Sequence, residues 1–359
     1  MRIVLTTFVW VLLSGISRGE VGDPANRGSV HDRSLQSTPA VENLPSGDRV
    51  ILEKLWTPEE LQGNPGERKT QHLARPDSFP PKESEQKERL PSLPPRPPSS
   101  IRRVELASPY KVVALTFDLC ERAKDIAGYD ASIVDYLRAE KVRATFFAGG
   151  KWMHDHPERT MQLMADSLFE IGNHTWSHAN LRLVSGQQLD EQILWTQTQY
   201  ELLREELARR ARQQGIDEKE IAPIPAVPLT FRFPYGTCSP EALAAVANAG
   251  LSAIQWDVVS GDPDQHQTAA RIVETVVQQT KPGSIVIFHA NGRGYETAEA
   301  LPRIVSTLRE RGFNFVTVSE LLNLASQTGG TVRAVSDCYE HRPGDNRRYD
   351  KFVRKETSK

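Results

Sequence analysis

From about residue 107 onward, the chain alternates between short apolar segments and longer segments with helical spacing. The apolar segments are rich in β-branched and aromatic residues, which predicts strands. The predicted strands cover residues 111–117, 142–148, 168–172, 229–233, 251–256, 284–288 and 313–318. The predicted helices cover residues 131–140, 157–166, 187–213, 240–249, 268–280, 297–311 and 319–325.

Strands that are apolar along their whole length are typical of parallel sheets buried on both faces. Seven strand–helix units therefore predict an α/β fold, a distorted (β/α)7 barrel one unit short of eight. A doubly wound open sheet shares this alternation and remains the alternative.

The first hundred residues have a different composition. Residues 1–20 contain one early cation and an apolar run at 3–13, which predicts a secretory signal peptide; an uncleaved anchor is the alternative. Of the 24 prolines, 13 lie between Pro24 and Pro98, so residues 21–106 are predicted to be a disordered, Pro-rich linker. Within it, the apolar residues 49–56 are candidates for a short docking helix. No later segment has the length of a membrane span.

The chain has 44 Lys and Arg against 46 Asp and Glu, a formal net charge of −2. Binding to nucleic acid through its phosphates requires concentrated positive charge, so a nucleic-acid partner is not expected.

Polar side chains occur at the carboxyl ends of five predicted strands. In parallel barrels these ends meet at the face where chemistry takes place. The sequence therefore predicts a single site. Its candidate members are Asp118, His174, Arg232, Asp257, Asp262 and His289.

Five ordered motifs resemble those of the NodB-type polysaccharide deacetylases. They are TFDLCE at 116–121, NHTWSH at 173–178, FRFPYG at 231–236, WDVVSGD at 256–262 and IFH at 287–289. The resemblance covers roughly residues 109–324 and implies a NodB-like catalytic domain at 107–326, with 327–359 as a solvated tail.

The resemblance also implies a function. Members of this family are metal-dependent hydrolases that remove N-acetyl groups from polysaccharides such as peptidoglycan or chitin. With an export signal, such an enzyme is expected to be secreted or periplasmic, with the polysaccharide as its partner.

His174 and His178 are the predicted metal ligands. On a helical turn, residues four apart point the same way, as a pair of metal ligands requires. The family has a third, acidic ligand where this chain has Leu119, which offers no lone pair. Glu121, Asp118 or water are alternatives for completing the shell of the expected divalent ion, Zn²⁺.

The resemblance assigns Asp118 as the base that deprotonates the attacking water. It implies that Arg232 pairs with Asp118 and keeps that carboxylate ionised and oriented. After Pro234, the backbone N–H of Tyr235 is expected to stabilise the oxyanion.

His289 is the expected general acid, and a nearby carboxylate would raise its pKa. Asp262 matches the family's partner for this histidine, and Asp257 is the second candidate. The family usually has tryptophan after that aspartate, whereas this chain has Pro263.

Two other functions remain open. Leu119 is compatible with a catalytically weak polysaccharide-binding protein, and Pro263 with a deacylase acting on another acyl group, such as an O-acetyl ester or a non-sugar amide.

Cys120, Cys238 and Cys338 are an odd count, which in an exported protein predicts one disulfide and one remaining thiol. Cys120 and Cys238 each follow a motif at the same rim of the barrel, so a disulfide between them is expected. Cys338 would then be free or pair between molecules. Alternatively, a cysteine thiolate supplies the missing metal ligand.

Overall fold

The structure, a computed structural model, describes residues 50–76, 81 and 93–338. A curved, mostly parallel sheet lies at the centre of this part of the chain. Its strands are β2 (Ser100–Glu105), β3 (Val112–Leu119), β5 (Ala144–Ala148), β6 (Phe169–Asn173), β7 (Thr230–Phe231), β8 (Ser252–Ile254), β9 (Val258–Val259), β10 (Ile285–His289), β11 (Asn314–Phe315) and β12 (Thr331–Val335). Two further short strands, β1 (Gln71–His72) and β4 (Asp125–Ile126), pair antiparallel outside this sheet.

Helices lie before and between the strands, and they include one at each of the seven predicted positions. They are α1 (Val50–Leu55), α2 (Pro58–Leu61), α3 (Ala131–Ala139), α4 (Gly150–Asp155), α5 (Pro157–Ala165), α6 (Gly186–Gln213), α7 (Glu218–Ile221), α8 (Pro240–Asn248), α9 (Ala269–Gln279), α10 (Thr297–Glu310) and α11 (Val318–Thr328). Among the described residues, no helix is both long enough and apolar enough to cross a membrane.

The strand order is β12-β2-β8-β7-β6-β5-β3-β10-β9, with β11 paired to β3. Every pairing in this sheet is parallel except that of β12 with β2. Near the sheet's ends, an isolated bridge joins Arg103 to Ser284, and the N–H of Val104 donates to the carbonyl of Gly283 at 3.0 Å. The predicted distorted barrel is therefore confirmed, with an irregular closure.

The core lies on both sides of β3, all eight residues of which are buried. Phe117 stacks between Phe146 and Phe288, with ring centroids 5.4 and 5.3 Å apart. Burial on both faces explains why β3 is apolar almost throughout. It also fixes the end of the strand, where Asp118 and His289 are register partners on β3 and β10.

Within residues 21–106, predicted as a Pro-rich linker with one candidate docking helix at 49–56, the described parts contain ordered elements. Helix α1 buries Ile51 and Leu52 in the main core, and the Nε1 of Trp56 donates to Glu158 at 3.1 Å. Strand β2 joins the main sheet beside β8. The docking helix at residues 49–56 was therefore expected, whereas the strand at the end of this segment was not. The predicted signal peptide, residues 1–20, lies outside the described residues.

The disulfide prediction is also wrong. Cys238 bonds to Cys338, and Cys120 is a free, buried thiol. The cause is strand β12, which pairs with β2 and carries the chain back toward the start of α8. The predicted tail is consequently structured as far as Cys338, and residues 339–359 lie outside the described part.

Candidate active site

The candidate site forms where β3, β6, β7 and β10 end, as the motifs predicted. Asp118 and Arg232 are its most buried charged pair. An Nη1 hydrogen of Arg232 is donated to Oδ1 of Asp118 at 2.8 Å, and the same nitrogen donates to Thr116 Oγ1 at 2.8 Å. The guanidinium lies over the ring of Phe147, 4.0 Å from its centroid. This pairing fixes the direction of the Asp118 carboxylate.

Burial raises the pKa of Asp118, but the positive charge of Arg232 has the opposite effect, and the net pKa lies below its usual value. Asp118 is therefore held as a carboxylate.

His174 has its ring fixed by the backbone. Its Nδ1 lies 2.9 Å from the carbonyl oxygen of Arg232, so Nδ1 carries the proton and Nε2 keeps its lone pair. Nε2 lies 3.6 Å from Oδ2 of Asp118 and 3.4 Å from Sγ of Cys120. Burial lowers the pKa of His174, which favours the neutral ring that a metal requires.

His178 lies beside His174, with ring centroids 5.0 Å apart. The two histidines are not on a helical turn, because residues 174–180 form a loop in which Thr175 and His178 have φ values of 65° and 55°. The expected proximity is therefore observed, but left-handed backbone in the loop produces it.

The three residues that directly follow Asp118 lie in different environments. Leu119 is fully buried in the main core. Cys120 faces His174. Glu121 accepts hydrogen bonds from Lys151 Nζ and from the N–H of Ala127, both at 2.7 Å. Glu121, one of the alternatives for the third metal ligand, is thus occupied elsewhere.

His289 is paired with Asp262, as expected. Its Nδ1 lies 3.0 Å from Oδ1 of that carboxylate. Burial lowers the pKa of His289, the charge of Asp262 raises it, and the net pKa lies above the usual value. Asp257, the second candidate, instead accepts hydrogen bonds from Ser284 and from the N–H of Ile285.

Tyr235 lies in a short 3₁₀ turn, Pro234–Gly236, with φ at 59°. Its ring packs edge-on against His178, with centroids 4.6 Å apart. Pro263, directly after Asp262, lines an adjacent cleft of about 810 Å³ that also contains Arg122 and Arg293.

The chain is also similar to known proteins. The family profile described as polysaccharide deacetylase matches residues 106–216. A peptidoglycan-N-acetylglucosamine deacetylase of Bacillus cereus is 30% identical over 220 residues, which are 61% of this chain and 91% of the relative. The chain belongs to the polysaccharide deacetylase family. It is accordingly a hydrolase of the deacetylase class.

The chain is also similar to further deacetylases. A chitooligosaccharide deacetylase of Sinorhizobium fredii is 29% identical over 197 residues, covering 52% of this chain and 81% of the relative. Among solved structures, a peptidoglycan N-acetylglucosamine deacetylase bound to a benzamide derivative has a TM-score of 0.51 at 23% identity, covering 68% of this chain and 97% of that one. A CE4-family pseudoenzyme from Bacillus anthracis has a TM-score of 0.50 at 22% identity, covering 63% and 69%. At these identities, the solved structures support the fold alone.

The sequence did not lead us to expect Cys120 among the site residues. Cys120 was expected in a disulfide, yet its sulfur faces His174. The available signal was its spacing of two from Asp118, which puts both side chains on the same side of a strand.

Proposed function

We propose that this deacetylase is a metal-dependent enzyme that removes N-acetyl groups from an extracytoplasmic polymer of N-acetylglucosamine. The observation that carries the proposal is the juxtaposition of Asp118 and His289. They are register partners on adjacent strands, and their environments shift their pKa values in opposite directions. A carboxylate whose ionised form is favoured, beside an imidazole whose protonated form is favoured, is the arrangement that acid–base hydrolysis needs.

The side chains around these two groups fit a divalent metal ion, with Zn²⁺ as the expected ion. His174 presents an unprotonated Nε2, and ligand atoms of Cys120, His174 and His178 lie within 4.8 Å of one another. When bound, such an ion supplies Lewis acidity that polarises an acetamide carbonyl and makes water easier to deprotonate.

The chain's own residues supply the proton transfers. Asp118, oriented by Arg232, accepts a proton from the water that adds to the acetamide carbon. The backbone N–H of Tyr235 donates to the oxygen on which negative charge develops. His289 gives its proton to the departing nitrogen as the carbon–nitrogen bond breaks. The products are acetate and a free amine.

The proposed substrate class and location have separate support. The relatives named above act, by their names, on peptidoglycan N-acetylglucosamine and on chitooligosaccharides. The Cys238–Cys338 disulfide favours an oxidising compartment outside the cytoplasm.

The test is acetate release from N-acetylglucosamine oligomers and from peptidoglycan, measured before and after a chelator and again after Zn²⁺ is restored. We expect release to fall with the chelator and to return with the ion. Asp118→Ala and His289→Ala should each reduce kcat by about 10²–10⁴-fold. Full activity in both variants would contradict the assigned roles.

A polysaccharide-binding protein with little activity is the second candidate, and Leu119 is the observation that favours it. Stoichiometric glycan binding without acetate release, even with added Zn²⁺ or Co²⁺, would support that alternative. Release of acetate from an O-acetyl ester, but not from the amide, would point to a different acyl substrate.

A further inference from the structure

We propose that the thiolate of Cys120 is the third protein ligand of the metal, together with His174 and His178. The resemblance to other deacetylases leads one to expect a carboxylate one residue earlier, where this chain has Leu119. The inference rests on the proposed function, because that function requires a metal. A thiolate takes the place of the expected carboxylate ligand.

Strand geometry directs Cys120 into the site. Side chains two residues apart project from the same face of a strand. Arg232 contacts Thr116 and Asp118, which identifies the face of β3 that looks into the site. Cys120 continues this series just after the end of β3. Leu119, between them, is buried in the main core instead.

The distances suit a tetrahedral ion. Zinc–sulfur bonds of about 2.3 Å and zinc–nitrogen bonds of about 2.0–2.1 Å, at a tetrahedral angle, separate sulfur from nitrogen by about 3.5–3.6 Å. The Sγ of Cys120 lies 3.4 Å from Nε2 of His174. With a ring nitrogen of His178 included, one ligand atom from each of the three residues lies within 4.8 Å of the other two. Little movement would bring all three onto one ion.

Groups behind the ligands hold them in this orientation. The carbonyl of Arg232 accepts from Nδ1 of His174 and leaves Nε2 directed at the sulfur. On the other side, the Nδ2 of Asn291 donates to the carbonyl oxygen of Cys120 at 2.7 Å. Partners of this kind fix the direction and protonation of metal ligands.

The alternative donors near Cys120 are already committed. Glu121 is bound to Lys151 and to the N–H of Ala127. Asp118 binds Arg232 through Oδ1, and in the proposed function its carboxylate serves as the base. The other two cysteines are bonded to each other, so Cys120 remains a thiol. This leaves the Cys120 sulfur as the donor best placed to take over from the missing carboxylate.

A thiolate ligand alters which metals the site prefers. Sulfur favours Zn²⁺ and other thiophilic ions over Mg²⁺, Ca²⁺ and Mn²⁺, which prefer oxygen. We therefore expect Zn²⁺, Co²⁺ and Cd²⁺ to bind stoichiometrically, and Mg²⁺ and Mn²⁺ to compete poorly.

The decisive experiment is electronic absorption of the Co²⁺-loaded protein. Coordination by Cys120 should produce an intense sulfur-to-cobalt charge-transfer band in the near ultraviolet. Cys120→Ser should lose this band and weaken Zn²⁺ affinity by at least about 100-fold, more than the 10–100-fold caused by loss of an outer-shell partner. Cys120→Asp should lose the band but recover much of the affinity, because a carboxylate again supplies a charged ligand.

Two controls assign the result. The double variant Cys238→Ser/Cys338→Ser removes the sulfur atoms of both other cysteines and should keep the band. His174→Ala should reduce Co²⁺ binding in the same titration. The wild-type spectrum alone tests the proposal if a variant fails to fold.

The outcomes separate the two proposals. Stoichiometric Co²⁺ that depends on His174 but shows no charge-transfer band would overturn the role of Cys120 and leave the proposed function intact. Absence of metal binding, with acetate release insensitive to chelators, would overturn both.

Discussion

Asp262 binds His289 through both of its carboxylate oxygens. Oδ1 lies 3.0 Å from Nδ1 of the ring, and Oδ2 accepts the backbone N–H of the same residue at 2.7 Å. Thr297 Oγ1 also donates to Oδ2, at 2.8 Å. The ring and its backbone are therefore fixed by one fully buried carboxylate, which leaves Nε2 as the nitrogen that can donate a proton to a substrate.

Replacing Asp262 with Asn should lower the pKa of His289, because the negative charge that favours the protonated ring is removed. A general acid is active below its pKa and loses activity as the pH rises through it. The alkaline limb of kcat against pH should therefore move to lower pH in Asp262→Asn, and kcat at neutral pH should fall by about 10–100-fold. Acetate release across a pH series measures both effects.

Asp257→Asn is the matched control for that experiment. Asp257 is another aspartate near the end of β8, but its carboxylate contacts Ser284 and Ile285 rather than His289. We expect the alkaline limb to stay in place even if stability falls. An equal displacement in both variants would mean that Asp262 has no specific effect on the acid.

Arg232→Met should change the pH dependence of kcat and lower the free energy of unfolding. Loss of the guanidinium leaves Asp118 buried without its positive partner, so the pKa of Asp118 should rise. A base is active above its pKa, and the acidic limb of kcat should therefore move to higher pH. Breaking a buried pair of this kind costs about 3–5 kcal/mol of unfolding free energy.

Arg232→Lys separates charge from geometry in the same site. It keeps a positive charge but loses the planar group that joins Thr116 to Asp118 and packs on Phe147. The acidic limb should move less than in Arg232→Met. Unchanged profiles in both variants would contradict the assignment of Asp118 as the base.

The barrel was predictable because its signals are local. Strands β3, β5 and β10 are apolar over most of their length, and predicted helices such as α9 and α10 have an apolar face. Strands β2 and β12 were missed for the opposite reason. Four of the five residues of β12 are exposed, and β2 follows a proline-rich stretch, so neither has a distinct pattern without its partner.

The site residues were predictable where a motif marks the end of a strand. They were less predictable where strand pairing or loop conformation brings the residues together. Asp118, Arg232, Asp262 and His289 lie together as expected. Counting cysteines could not identify the disulfide, because Cys338 reaches Cys238 only through the pairing of β12 with β2. The proximity of His174 to His178 depends on left-handed loop residues that spacing alone does not reveal.

Leu52→Ala should show that helix α1 belongs to the folded unit. Leu52 is 1% exposed and lies in the main core, although it precedes β3 by sixty residues. Truncating a buried leucine costs about 2–5 kcal/mol. Glu53→Ala, on the exposed side of the same helix, should change stability by less than about 0.5 kcal/mol. Urea unfolding of both variants makes the comparison, and equal stabilities would mean that α1 contributes nothing to the core.

Removal of the Cys238–Cys338 disulfide should destabilise the protein without changing its chemistry. The bond closes a loop with a sequence separation of 100, and a disulfide of this kind contributes about 2–4 kcal/mol, chiefly by restricting the unfolded chain. Cys238→Ser, Cys338→Ser and the double variant should therefore lose similar amounts in urea unfolding, because each breaks the same bond. A reductant should bring the wild type to the same stability and leave the double variant unchanged.

Thiol titration of the unfolded, unreduced wild type should detect one thiol, that of Cys120, since the other two cysteines are bonded. Three titratable thiols, or a wild type whose stability does not respond to the reductant, would contradict the pairing.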